Sequence, residues 1–376
     1  MGLAIELETI HVRGYRSARD VHLELGRLNV LVGPNGCGKT NLYRALRLLA
    51  DAAEGRLARS IAEEGGMASV LFAGARRRGE RARLSVSAAG DGVGFELVCG
   101  PPPPQGGYPD ADGHVRGSAF ALDPEVKEER IWADDGGGKA VVMAERRARS
   151  AWLRDEGGRR LEYPVALDAW ESMLGQVRDP HRYPELARWR DVLRSWRFYH
   201  LFRTDPEAPL RHPQIGVRTM ALGHTGDDLA AALQTVFEIG DGRALHRAVE
   251  AAFPGARLEI ETTEDHRFRV QLRTPGMRRP FAAHELSDGT LRFLCLLAAL
   301  TSPRPPGLLA FNEPETSLHP ELLAPLAALL VAAAERSQLW ITTHSHQLAE
   351  AIERRSGVAP LRLELKSGET RLARRP

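Results

Sequence analysis

The chain has 376 residues, 43% of them hydrophobic, which suits a substantial core and two or three domains. Its 51 Lys and Arg stand against 49 Asp and Glu, a formal net charge of +2 that excludes an overall basic field as the means of holding nucleic acid. Three cysteines with no C-x-x-C pair exclude a disulfide framework and a Cys-based zinc site; with no apolar run near membrane length and no signal or acylation pattern, a soluble, cytoplasmic protein is expected.

Residues 5–12, 21–25 and 28–32 read as short strands. The third runs into GPNGCGKT, residues 33–40, which fits G-x-x-x-x-G-K-[ST] and precedes an amphipathic helix over 41–53. A strand, a Gly-rich loop and a helix in that order make a phosphate cradle. The glycines Gly33, Gly36 and Gly38 let the backbone curl until successive N–H groups point inward, Pro34, Asn35 and Cys37 complete the loop, and Lys39 reaches the outer phosphates. The Thr40 hydroxyl can hold Mg²⁺, and Asn41 completes the candidate nucleotide-binding set. A thiol at this place makes Cys37 a candidate for redox control, the other reading being a tolerated small residue.

Strand patterns recur at 83–88 and 94–99. PPPPQGGYPDADG, residues 101–113, is a loop that bounds an inserted region. Beyond it FALDP and RIWAD are strand-like, Gly136 to Gly138 interrupt the chain, and residues 183–199 form a helical stretch with Trp189, Trp196 and Phe198 spaced for core packing. No heptads are sustained, which excludes a long coiled-coil arm. Arg76, Arg77, Arg78, Arg81 and Arg83 form the densest basic cluster, and Arg146, Arg147 and Arg149 a lesser one. Each is a candidate contact to a nucleic-acid backbone or, in the plainer reading, solvated loop charge.

Helices follow at 227–238 and 241–253, then a hairpin from 258–262 and 268–272. The remainder alternates: a helix after Ser287, a strand at 307–311, a helix at 320–335, a strand at 338–342, a helix at 345–354 and closing strands. Such alternation implies a mainly parallel sheet with helices on its faces. The carboxyl edge of that sheet then carries Asn312 and Glu313, and one strand later Thr342, Thr343 and His344. A Glu there orients and deprotonates a water in line with a γ-phosphate, and His344 can donate a hydrogen bond to that phosphate. Ser287, taken alone, is an ordinary N-cap.

The set GPNGCGKT, LSDGT, FNEPETSLHP and TTHS resembles the ATP-binding-cassette class of ATPase heads, in the RecF-like and SMC-like branch and the bacterial predicted ATPases of AAA_21 type. IHVRGYRSARDVHLELGRLNVLVG, WRFYHLFRTDPEAPLRHP and LGHTGDDLAAAL share that likeness, so it spans nearly the whole chain. It implies an α/β P-loop NTPase core with a mainly parallel sheet, an antiparallel N-terminal β-subdomain and an inserted α+β or helical subdomain. The division expected is 1–100 for the lobe with the phosphate loop, 101–256 for the insertion and 257–376 for the second lobe. The resemblance further implies ATP and Mg²⁺ as cofactors, catalytic roles for Lys39, Glu313 and His344, and metal contacts from Thr40 and Asn312. Ser287 and Gly289 would bind the γ-phosphate of ATP held by a second copy, closing a homodimer.

Two departures stand out. Asn312 occupies a place where the family has Asp; an amide accepts a hydrogen bond from metal-bound water but lacks the charge, so weak Mg²⁺ affinity and slow hydrolysis are expected. The stretch EEGGMASVLFAGARRRGE has no Gln where such heads carry a metal- and water-sensing one. The expected function is an ATP-driven homodimer that gates a DNA-associated process such as repair or anti-phage defence, with DNA and a nuclease or effector protein as candidate partners. The alternative is a slow or inactive ATPase serving as a nucleotide-dependent regulatory subunit of a separately encoded nuclease. A transporter ATPase fits least.

Overall fold

The computed structural model describes residues 5–103, 119–134 and 136–373, so the loop expected at 101–113 lies, from residue 104 on, outside the described residues. In chain order the first elements are β1 (Thr9–Tyr15), β2 (Ala18–Glu24), β3 (Leu28–Val32), α1 (Lys39–Ala53), α2 (Leu57–Glu63) and α3 (Met67–Val70). Next come β4 (Leu84–Gly90), β5 (Val93–Gly100), β6 (Glu125–Asp134), β7 (Ala140–Arg147), β8 (Ser150–Arg154), β9 (Arg160–Glu162), α4 (Met173–Gln176) and α5 (Pro184–Ser195). The chain continues through β10 (Arg197–Tyr199), β11 (Gln214–Ile215), α6 (Leu229–Ile239), α7 (Gly242–Ala252), β12 (Arg257–Thr262), β13 (Arg267–Arg273) and β14 (Phe281–Ala282). It closes with α8 (Asp288–Leu300), β15 (Leu308–Asn312), α9 (Leu323–Ala333), β16 (Gln338–Thr343), α10 (His346–Ser356), β17 (Leu361–Lys366) and β18 (Glu369–Leu372). Two compact units interleave along the sequence: one takes the chain up to Gly26, residues 33–196 and the chain from Arg362, the other residues 27–32 and 197–361.

In the first unit an eight-stranded antiparallel sheet runs in the order β2-β1-β4-β5-β6-β7-β8-β9. In β1 and β2 buried residues alternate with more exposed ones, as when one face is covered and the other wet, whereas β4 and β5 have no exposed position. Ile10, Val12, Val86, Phe95 and Leu97 are buried, as are Leu42, Leu46 and Leu49 on one stripe of α1. Each such side chain contributes about 1.5–3 kcal/mol by leaving water. Helix α5 packs on α1; Trp189 is fully buried with its ring 6.1 Å from Phe95, and Arg194 Nε donates to Ala53 O at 3.0 Å, satisfying a carbonyl left over at the end of α1. The antiparallel hairpin β17–β18 belongs to this unit and packs against β2.

Of the lesser basic cluster, Arg147 and Arg149 are exposed but Arg146 is not a surface charge. Arg146 is fully buried, its guanidinium 3.2 Å from Glu129 Oε2 and hydrogen-bonded to the carbonyls of Ala148, Glu171 and Asp168, so it ties β7 to the segment leading into α4. Arg83 likewise pairs with Glu128 at 2.6 Å. Arg76, Arg77, Arg78 and Arg81 are exposed.

The second unit holds four parallel strands in the order β10-β15-β16-β3. LNVLV, LLAFN and QLWITT are buried at every position, the unbroken apolar run that a doubly covered parallel strand requires. The core of this unit joins those strands to α6, α8, α9 and α10 through residues such as Leu233, Phe293, Leu297, Leu326 and Ile352. A smaller antiparallel sheet pairs β13 with β11, β12 and β14, taking in the hairpin expected at 258–272.

The helix expected over 183–199 stops at Ser195; Trp196 is already extended, with φ −64° and ψ 146°, and Arg197–Tyr199 joins the parallel sheet as β10. Pairing with β15 overrides helical spacing, since Tyr199 stacks on Phe311 at 5.2 Å and donates its hydroxyl to Leu222 O at 2.8 Å. Phe120 begins a turn rather than a strand, whereas RIWAD forms the end of β6. The helix expected from 320 opens as a 3₁₀ turn, Pro320–Leu322, before α9.

Candidate functional site

The phosphate loop of the first unit follows β3 directly. Gly36 and Gly38 have φ of 76° and 103°, the left-handed region that glycine adopts without strain. Lys39 Nζ donates to the carbonyl oxygens of Gly33 at 2.6 Å and Pro34 at 3.0 Å, and lies 3.8 Å from Cys37 Sγ. The ammonium is therefore held inside the curve of the loop, although the stem starts at the first residue of α1. Cys37 is 1% exposed, so the redox reading fails because an oxidant has no access to its sulfur.

The loop has a support that its own sequence does not announce. Thr370 of β18 donates its hydroxyl to Cys37 O at 2.8 Å, its backbone N–H bonds Ser17 O at 2.8 Å, and Ser17 Oγ meets both Thr370 Oγ1 and Asn41 Nδ2 at 2.8 Å. A Cβ on Gly38 would stand 2.0 Å from Thr370 Oγ1. Glycine is required there twice over, by backbone conformation and by the closeness of the C-terminal hairpin.

In the second unit Asn312, Glu313 and His344 meet at the carboxyl edge of the parallel strands. Glu313 takes φ 54°, a left-handed conformation that costs a non-glycine residue about 1–3 kcal/mol and is found where surrounding structure enforces it. Here its N–H bonds Thr342 O at 2.8 Å, and its Oε1 lies 2.7 Å from His344 Nε2. Asn312 is held from two sides, its Nδ2 2.8 Å from His200 Nδ1 and its Oδ1 accepting from Thr342 Oγ1 at 2.7 Å. Glu315 shapes the following turn, its Oε1 accepting from Thr343 Oγ1 at 2.6 Å and from the N–H groups of His344 at 3.0 Å and Ser345 at 3.2 Å.

Ser287 and Gly289 do not join that edge cluster; they line a separate cleft of about 670 Å³ with Phe253, Ser317, His319 and Glu321. Ser287 is the N-cap of α8, accepting from Thr290 N at 3.1 Å, and is exposed. A Cβ on Gly289 would come within 2.8 Å of Ser317 O. The cap and the open cleft coexist, so a helix N-terminus with its partial positive charge faces solvent beside a hydroxyl. Ser17, His200 and Glu315 stand inside strings quoted above and Thr370 outside them, yet none of the four is given a role by sequence reasoning, because their partners are distant in the chain.

Among the described residues no group of three or more His, Cys, Asp or Glu could cage a metal ion. The donors near the motifs suit Mg²⁺ nonetheless: Thr40 offers a hydroxyl, and Asn312 Oδ1, with one bond from Thr342, keeps a lone pair for a metal-bound water. Hydroxyl and amide oxygens are hard donors of the type that Mg²⁺ takes. No helix among the described residues is long and apolar enough to cross a membrane.

Residues 115–350 match the family model AAA_21, described as "AAA domain, putative AbiEii toxin, Type IV TA system". The chain belongs to the AAA_21 family. Residues 6–71 also match AAA_15, an AAA ATPase domain, so the loop and the Glu313 edge both fall in matched segments of this AAA_21 chain. Two solved structures share the fold. One is an Smc head bound to the C-winged helix domain of ScpA, with TM-score 0.54, 16% identity, and 98% of this chain and 97% of that one covered. The other is an Smc head with an extended coiled coil bound to the C-terminal domain of ScpA, from Pyrococcus furiosus, with TM-score 0.56, 13% identity, and 98% and 95% covered.

Curated relatives match over short segments. An uncharacterized protein, MJECL10, of Methanocaldococcus jannaschii is 40% identical over 50 residues, 13% of this chain and 23% of that protein. An OLD nuclease of Thermus scotoductus is 44% identical over 43 residues, 11% of this chain and 8% of that protein. The chain thus spans less than a quarter of the length of either.

Proposed function

We propose that the chain hydrolyses ATP with Mg²⁺ and that a second copy completes each site. The observation that carries the reading is the Glu313 carboxylate, turned off the end of β15 by a left-handed residue and met at 2.7 Å by His344 Nε2. A carboxylate so fixed orients a water and takes its proton, and the strain at Glu313 is of the kind functional sites maintain. N–H groups of residues 36–41 receive the phosphates, and Lys39 Nζ exchanges the Gly33 and Pro34 carbonyls for phosphate oxygens. Mg²⁺ bound with the nucleotide would neutralise charge on the outer phosphates, and Thr40 and Asn312 are the residues that would hold it. His344 releases Glu313 to contact the γ-phosphate. Ser287 Oγ and the Gly289 N–H close the nucleotide of the other copy from the dipole-positive end of α8.

In this reading ATP-dependent pairing gates a DNA-associated partner in the cytoplasm, in repair or anti-phage defence; the exposed Arg76, Arg77, Arg78 and Arg81 supply a salt-sensitive contact to the backbone. A second reading, a slow nucleotide-sensing subunit beside a nuclease, is favoured by the amide at Asn312 and by the short likeness to an OLD nuclease. Phosphate release decides between them. Turnover that falls about a hundredfold or more in both Lys39→Ala and Glu313→Gln supports the ATPase. Turnover absent from the wild type, with nucleotide bound, supports the sensor.

A further inference from the structure

We infer that Arg211 is a positioning residue for the Ser287–Gly289 face, and so acts on the nucleotide held by the partner copy; this rests on the ATPase reading above. Arg211 ends a 3₁₀ turn, Pro209–Arg211, and is 8% exposed. A guanidinium cannot shed its charge, so burial obliges it to find acceptors for its donors. Those acceptors belong almost entirely to one segment. Nη1 donates to Ala283 O at 3.3 Å, His284 O at 3.3 Å and Leu286 O at 2.9 Å, and Nη2 donates to Asp288 Oδ1 at 2.6 Å. Nε is held by Thr204 O at 2.9 Å, which fixes the plane of the fork.

One side chain therefore binds the carbonyls on the inner side of the turn and the first residue of α8 together, with Ser287 between them. From the solvent side Glu285 is clamped by Arg279, at 2.6 and 2.7 Å, and by the Ala282 N–H at 2.9 Å. The turn before Ser287 is fixed from within and without, and the Ser287 hydroxyl and Gly289 backbone look into the open cleft. Arg211 itself does not line that cleft. Lysine could not take its place, since a single ammonium has no planar fork to span separated acceptors. Displacing a phosphate-binding turn by about 1 Å costs on the order of a hundredfold in rate.

The test uses the full chain and mixes two variants. Arg211→Ala is expected to bind a fluorescent ATP analogue within about twofold of wild type yet turn over about a hundredfold more slowly. Glu313→Gln alone is inactive, but mixed with Arg211→Ala it supplies an intact Ser287 face to a chain whose Lys39 and Glu313 are intact. Turnover in the mixture should recover to at least about a tenth of wild type. Arg211→Lys, which keeps charge and stem, should repeat the pattern if the alanine variant fails to fold. A mixture no more active than its components, beside an active wild type, would overturn the positioning role while leaving the ATPase intact. A wild type with no Lys39-dependent turnover would overturn the function reading, and with it the role of Arg211.

Discussion

Substituting alanine at Gly38 and at Gly36 separates two reasons for a glycine in the same loop. Both have positive φ, 103° and 76°, but a Cβ on Gly36 meets nothing within 4 Å, whereas on Gly38 it falls 2.0 Å from Thr370 Oγ1 and 2.9 Å from Ser17 Oγ. The conformational penalty for a non-glycine residue is about 1–2 kcal/mol at either place. At Gly38 the overlap must also be relieved by moving Thr370, whose hydroxyl bonds Cys37 O and Ser17 Oγ, both at 2.8 Å. Losing two partly buried hydrogen bonds adds about 1 kcal/mol each. Gly38→Ala should therefore destabilise by about 3–4 kcal/mol and Gly36→Ala by about 1–2 kcal/mol, measured by urea unfolding followed by circular dichroism. Thr370→Ala should itself cost about 1–2 kcal/mol and combine less than additively with Gly38→Ala, because it removes the atom in the way. Equal losses at the two glycines, or strict additivity with Thr370→Ala, would refute the buttress.

Further outcomes follow from the same contacts. Asn312→Asp restores a carboxylate beside Thr342 and should lower the Mg²⁺ concentration for half-maximal ATP hydrolysis by about tenfold; an unchanged Mg²⁺ requirement would remove Asn312 from the metal contacts. Arg146→Met leaves Glu129 buried and unpaired and should lower stability by about 3–5 kcal/mol in urea, whereas a loss below about 1 kcal/mol would show that Glu129 does not depend on it. The ion pair with Arg279 and the bond from the Ala282 N–H hold the Glu285 carboxyl down from 4.5 to about 2. A depressed carboxylate gives stability that is full above pH 4.5 and lost as pH falls toward 2, so amide exchange across residues 281–286, corrected for intrinsic rates, should quicken over that window. Glu285→Gln should abolish that dependence; the same acid response in the variant would contradict the assignment.

The phosphate loop is legible in sequence because its chemistry is local: left-handed glycines, an amine and a hydroxyl lie within eight residues of one another. The parallel strands are legible for a similar reason, since LNVLV and LLAFN need no alternation when both faces are covered. What escapes is long-range. Ser17 and Thr370 stand 353 positions apart, and nothing near either one marks it as a support for Gly38. Arg197–Tyr199 reads as the tail of a helix because three residues cannot declare a strand; their pairing with Leu309–Phe311 decides it. Arg146 reads as surface charge beside Arg147 and Arg149, yet Ala144 and Arg146 are both buried in β7, as the period of two requires. That shared face is the signal in the sequence, and only the Glu129 partner gives it meaning.

The central claim, that two copies of the chain close one nucleotide between the phosphate loop of one and the Ser287 face of the other, is tested most directly by the solution mass of Glu313→Gln. Sedimentation with ATP and Mg²⁺ should show a dimer that is absent without nucleotide and absent again when Ser287→Arg is added to the same chain. A protomer at every ATP concentration that saturates binding, or a dimer indifferent to ATP and to Ser287→Arg, would contradict the account.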